Sequence, residues 1–121
     1  IMQRCGERMD VYSGDDATAM ELILAGGKGN ISVTANIAPA AMHAMCKAAL
    51  AGDRETAARI DATVADLHRV LFLEANPIPV KWAVHQLGFG SESLRLPLVP
   101  LSEALRPTIL AAMQKAGLQR A

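Results

Sequence analysis

The 121-residue chain carries twelve basic and twelve acidic residues with no run of one sign, so it lacks the electrostatic footprint that binding a phosphate backbone requires, and nucleic acid is not an expected partner. Its residues are 51% apolar, yet Trp82, Tyr12, Phe72 and Phe89 are the only aromatics, so the interior has to be built from Ala, Leu, Ile, Val and Met, the composition of packed helices and not of a β-sandwich. No apolar run reaches the roughly 18–20 residues of a membrane span, and the length suits about one core, so the expectation is a soluble unit without membrane contact.

In chain order, "IMQRCGERM" begins with Ile1 and opens in mid-pattern, like the last turns of a helix, which predicts a piece of a longer chain. "DVYSG" has the β-branched and aromatic content of a short strand, punctuated by Asp10 and Gly14. From Asp15 the period changes: Ala19, Leu22 and Ile23 share a helical face, and Gly26 and Gly27 supply a stop. "GKGNISVTAN" returns to strand character around Ile31 and Val33. Strand, helix, strand at this spacing predicts a βαβ unit with a parallel pair.

After Asn36 the pattern is helical. Pro39 suits the first turn of a helix through "AAMHAMCKAALA", which Gly52 ends, and Asp53 caps the next. There Ala57, Ile60, Val64, Leu67 and Leu71 form one apolar stripe. "NPIPVKWAVHQLG" predicts a rigid corner at Asn76 and Pro77, a helix entered near Pro79, and a stop at Gly88. The stretch from Gly88 to Pro100 is a surface connection. The last helix starts either at Ser102, with Pro107 kinking it, or at Pro107 itself, and ends at Gly117. Two parallel strands alone leave two edges unpaired, so something else should complete the sheet.

The side chains able to do chemistry are few. In "SGDD" two readings compete for Asp15 and Asp16: the acids serve a ligand at a strand's carboxyl end, or they cap the following helix. Gly14 offers a backbone that a ligand can approach closely. Ile31 and Val33 read as an apolar wall or as core. His43 and Cys46 share a helix face, but His68 and His85 lie on other helices and no zinc spacing appears, so no metal is expected. A lysine could form a Schiff base with a carbonyl substrate. However, Lys28 lies at the wrong end of its strand, Lys47 and Lys115 read as solvated, and Lys81 reads as packing with a salt bridge. Cys5 and Cys46 form no motif and no signal peptide is visible, which predicts reduced thiols and a cytoplasmic protein.

"SGDD", "GGKGNISVTAN", "NPIPVKWA" and "LRLPLVPL", in this order and spacing, resemble the carboxyl-terminal part of the dihydrodipicolinate synthase (4-hydroxy-tetrahydrodipicolinate synthase) family over essentially the whole chain. N-acetylneuraminate lyase, from the wider family, matches these stretches less closely. The resemblance implies an α/β fold: the last two strands of a (β/α)8 TIM barrel in residues 1–51, and an appended carboxyl-terminal helical bundle in residues 52–121. It implies a homotetrameric lyase of lysine biosynthesis that needs no cofactor. Pyruvate forms a Schiff base with a strand lysine, and its enamine attacks aspartate semialdehyde. That lysine, the tyrosine–threonine–tyrosine relay and the carboxylate-holding arginine all belong to earlier parts of the barrel; Tyr12 is not one of them. No catalytic residue is therefore expected here, and the chain alone should be inactive. Substrate binding is expected of Ile31, at the position lining the pyruvate pocket, and of Gly14, near the second substrate. Asp15 and Asp16 belong to a turn that shapes the rim and caps a helix. The alternatives are a non-catalytic half-barrel partner and an aldolase for another 2-oxo acid.

Overall fold

The computed structural model describes residues 2–6 and 8–119, and Ile1 and Glu7 of the opening segment lie outside them. Among the described residues six helices follow in order: α1 (Met2–Cys5), α2 (Asp16–Leu24), α3 (Pro39–Leu50), α4 (Arg54–Val70), α5 (Ile78–Gln86) and α6 (Arg106–Lys115). Strands β1 (Tyr12–Ser13) and β2 (Gly29–Asn30) flank α2. They pair in parallel, Tyr12 opposite Gly29 and Ser13 opposite Asn30, as the strand–helix–strand pattern requires. The ladder extends one residue each way: the Lys28 amide donates to Val11 O and the Ile31 amide to Ser13 O, both at 2.8 Å.

The second strand differs from the sequence expectation. Pairing stops at Asn30, Ile31 is 73% exposed, and Thr34–Asn36 coil into a 3-10 turn. β-Propensity describes a fit to a half-buried pleat. Ile31 and Val33 have that propensity, but the register set by the short β1 ends before them.

Helix ends follow local chemistry. Asp15 caps α2, its carboxylate accepting from the Thr18 amide at 3.1 Å. Gly27 closes the other end by donating to Leu22 O at 2.9 Å. Pro39 occupies the first turn of α3, where its missing N–H has no helical partner to lose. Gly52, at φ 76°, turns the chain out of α3 in the left-handed region that glycine tolerates. Asp53 then accepts from the Thr56 amide at 3.0 Å and starts α4. Pro107 is settled by a short 3-10 turn, Glu103–Leu105, after which it sits in the first turn of α6 without kinking it.

The core is centred on α4, which packs on α2, α3 and α6. Ala57, Val64, Leu67 and Leu71 of the expected stripe are buried, and Ile60 packs partly buried at its margin. Met42 and Met45 of α3, Trp82 of α5 and Ile109 of α6 complete the interior, and full burial of a side chain such as Leu67 contributes about 1.5–3 kcal/mol. The Arg106 guanidinium lies 5.9 Å from the Trp82 ring centroid. Among the described residues no helix is long and apolar enough to cross a membrane.

Candidate active site

The carboxyl ends of β1 and β2 open onto a cleft of about 630 Å³. Gly14, directly after β1, and Ile31 and Ser32, directly after β2, form one wall. Phe72, Asn76 and Lys81, from the corner after α4 and from α5, form the other. The two substrate-binding candidates thus meet in one cleft, although they are far apart in sequence. Ile31 is 73% exposed and so is not a core residue; it borders this cleft and also the groove beside β2. A Cβ built on Gly14 would meet nothing within 4 Å, so the glycine keeps space open without being required by its neighbours.

The adjacent acids of "SGDD" have separate tasks. Asp15 is exposed and caps α2, accepting from the Thr18 amide and, at 2.7 Å, from its hydroxyl. Asp16 is buried at 2% exposure and turns away from its own helix. Its Oδ1 accepts from Asn30 Nδ2 at 2.7 Å, and its Oδ2 accepts from the amides of Val33 at 3.0 Å and Thr34 at 2.9 Å. Burial pushes this carboxyl upward, but hydrogen bonding from Ser32, Thr34 and Asn30 outweighs burial and holds it below the ordinary aspartate range. Asp16 is therefore a fixed negative charge whose acceptor capacity is already used, and it is unsuited to proton transfer.

The network continues inward. The Thr34 hydroxyl lies 2.8 Å from His68 Nδ1, and His68 Nε2 lies 3.3 Å from Asp61 Oδ1. In a neutral ring, Nε2–H donating to Asp61 leaves Nδ1 to accept from Thr34. His68, considered above as a metal ligand, is occupied as a buried polar link from α4 to the loop after β2. His85 donates from Nδ1 to Gly90 O at 2.9 Å and holds the exit from α5.

His43 and Cys46 border a different groove, of about 360 Å³, along the exposed edge of β2. The Cys46 thiol is pushed up by burial and by the nearby Asp16 charge, which disfavours the thiolate needed for nucleophilic or metal chemistry. Lys81 departs from expectation: it forms no salt bridge with any described residue and borders the cleft instead. Lys115 pairs with Asp66 at 2.6 Å on the surface, and Lys28 and Lys47 are exposed. None of the four lysines lies at the carboxyl end of a strand.

Sequence reasoning missed Asn76, Lys81 and Phe72 as cleft residues, and Asp16, Thr34 and His68 as a network. One signal was available for Asp16. It precedes Ala19 by three positions and Ile23 by seven, which puts a carboxylate at the head of the buried face of α2.

The Dihydrodipicolinate synthetase family matches residues 1–116. The 4-hydroxy-tetrahydrodipicolinate synthase of Alcanivorax borkumensis is 58% identical over 118 residues, covering 98% of this chain and 40% of that protein. That of Pseudomonas aeruginosa is 52% identical over 117 residues, covering 97% and 40%. Among solved structures, the chloride-inhibited dihydrodipicolinate synthase of Acinetobacter baumannii complexed with pyruvate superposes with a TM-score of 0.95 at 50% identity, covering 97% of this chain and 40% of that one. The Aquifex aeolicus dihydrodipicolinate synthase gives 0.94 at 38% identity, covering 99% and 41%. The chain thus spans about 40% of the length of the curated relatives it matches. With the strand-end cleft, these matches over nearly all of its residues show that the chain belongs to the dihydrodipicolinate synthetase family.

Proposed function

We propose that this chain is the carboxyl-terminal portion of a Schiff-base lyase that condenses pyruvate with aspartate semialdehyde in lysine biosynthesis. Residues 1–51 are read as the last units of a TIM barrel and residues 52–121 as its appended helical bundle. Ile31 lines the pyruvate side of the pocket and Gly14 the side of the second substrate. The observation that carries this reading is the convergence of Gly14 and Ile31 on one cleft at the ends of two parallel strands, where ligands of such folds bind.

The chemistry of the chain itself is consistent with a contributor to a shared pocket. Condensation through an enamine needs an amine that attacks the pyruvate carbonyl, and a lysine serves when it is desolvated near neutral pH. Lys28, Lys47 and Lys115 are exposed and lie outside the cleft, while Lys81 enters it from a helix. We therefore read the Schiff-base lysine as lying in the remaining barrel portion, so that this chain alone is inactive. The assembled enzyme is read as a cytoplasmic homotetramer.

The test is a complete enzyme in which this chain replaces the matching 118 residues of the Alcanivorax borkumensis relative. It is expected to condense pyruvate with aspartate semialdehyde and to be trapped by borohydride in the presence of pyruvate, on a lysine outside this chain. A borohydride adduct on Lys81 would overturn the assignment of the lysine. A folded chimera that is silent with aspartate semialdehyde but cleaves another 2-oxo acid aldol would move the substrate within the family. The exposed edges of the two-stranded sheet favour a second reading, a half-barrel that associates with a separate chain. Activity restored by mixing this chain with a separately made amino-terminal portion would support it.

A further inference from the structure

We propose that Asp16 is the positioning residue of the cleft: its carboxylate brackets the Ile31–Ser32 pair and sets where these two residues stand against a bound substrate. The inference rests on the functional reading above and extends it to a residue that does not line the cleft. Asp16 is not needed as a helix cap, because Asp15 already satisfies that end of α2. Its bonds run 14, 17 and 18 residues down the chain, to Asn30, Val33 and Thr34. Asn30 immediately precedes the Ile31–Ser32 pair and Val33 immediately follows it, so one buried side chain is tied to the Asn30 side chain on one side of the pair and to the backbone amides of Val33 and Thr34 on the other. Ile31 itself is held by little else: its side chain is 73% exposed, and the ladder ends with its amide on Ser13 O.

The strength of the bracket follows from its charge. Hydrogen bonds to an ionised acceptor are shorter and stronger than neutral ones, and this carboxylate has no cation within ion-pair distance among the described residues, so hydrogen-bond donors compensate its burial. Asp16→Asn keeps the size but turns one acceptor into a donor facing donors. A displacement of order 1 Å in a group that positions a substrate can lower a rate by about a hundredfold.

The experiment uses the chimeric complete enzyme and two readouts, kinetics with pyruvate and hydrogen exchange at the Val33 and Thr34 amides. Asp16→Asn is expected to lower kcat/KM for pyruvate at least about tenfold per folded enzyme, well below the melting temperature, and to speed exchange at both amides. Asn30→Ala removes one of the three donors and is expected to show a smaller loss of kcat/KM, roughly threefold, so it carries the test if Asp16→Asn does not fold. His68→Leu removes the partner of the Thr34 hydroxyl but none of Asp16's donors, and is expected to lower the melting temperature with kcat/KM within about twofold of the parent. Two results would overturn the proposal: Asp16→Asn, or Asn30→Ala in its place, destabilised with unchanged kcat/KM, or His68→Leu losing as much kcat/KM as Asp16→Asn. An inactive parent chimera would sink the functional reading instead, while amide exchange would still report whether Asp16 holds the rim.

Discussion

The strand-end region, residues 11–36, and the helical region, residues 39–118, are held together in different ways. In the helices, apolar stripes three and four residues apart bury Ala57, Val64, Leu67 and Leu71 against α3 and α6, and the caps use neighbours within a few positions. At the strand ends two short strands contribute little, and the loop that shapes the cleft is fixed by Asp16 through donors far along the chain. Non-directional apolar packing tolerates small shifts, whereas a bracket of directional bonds defines atomic positions. The first arrangement suits a scaffold and the second suits a site.

Substitutions in the complete enzyme can break or sharpen this contrast. The largest effect on stability is expected from Leu67→Ala, a fully buried side chain of α4: about 2–5 kcal/mol lost in chemical denaturation, with pyruvate kinetics little changed in the molecules that remain folded. A comparable loss of kcat/KM would mean that scaffold and site are not separable.

Acid should act on the strand ends through Asp16. Because its folded pKa is lowered, its contribution to stability is present in full above its ordinary value of 3.8 and is lost as the pH falls through the lower folded value. Urea melts at falling pH should therefore show stability declining below about pH 4, and less steeply in Asp16→Asn than in the parent. Identical slopes would assign the acid response to the surface carboxylates Glu21, Asp53 and Asp66, whose pKa values are also lowered by their hydrogen-bond partners.

Gly14→Ala separates stability from function more sharply. Its φ is outside the left-handed region and the added methyl meets no atom within 4 Å, so stability should change by less than about 1 kcal/mol. The methyl enters the cleft, and KM for aspartate semialdehyde should rise while the borohydride-trapped pyruvate adduct still forms. Unchanged kinetics would remove Gly14 from the substrate-binding surface. The smallest effect is expected at the bidentate Glu21–Arg54 pair, whose side chains are about 60% exposed: Glu21→Gln should leave the melting temperature and kinetics unaltered within error.

Much of the helical region was legible in the sequence because its determinants are local. Pro39 at a helix start, Gly52 at a helix end, Asp53 as a cap and the Ala57-to-Leu71 stripe each act within one or two turns, and each is found where the residue pattern puts it. The parallel pairing of β1 with β2 was also readable, from the period change on either side of α2. The extent of β2 was not, because a strand is defined by its partner. Ile31 and Val33 look like strand residues, but β1 offers pairing only as far as Asn30.

By itself, then, the sequence determined the order of elements, the helical faces, the caps, the lack of a basic surface and the motifs that resemble the dihydrodipicolinate synthase family. Only the tertiary structure decided which of two adjacent aspartates caps and which clamps, that His68 joins α4 to the cleft loop through Thr34, and that Lys81 borders the cleft unpaired with any described residue. The physical reason is range: periodicity and caps are set by neighbours in the chain, whereas the partner of a buried polar group is whatever donor or acceptor the fold brings within about 3 Å.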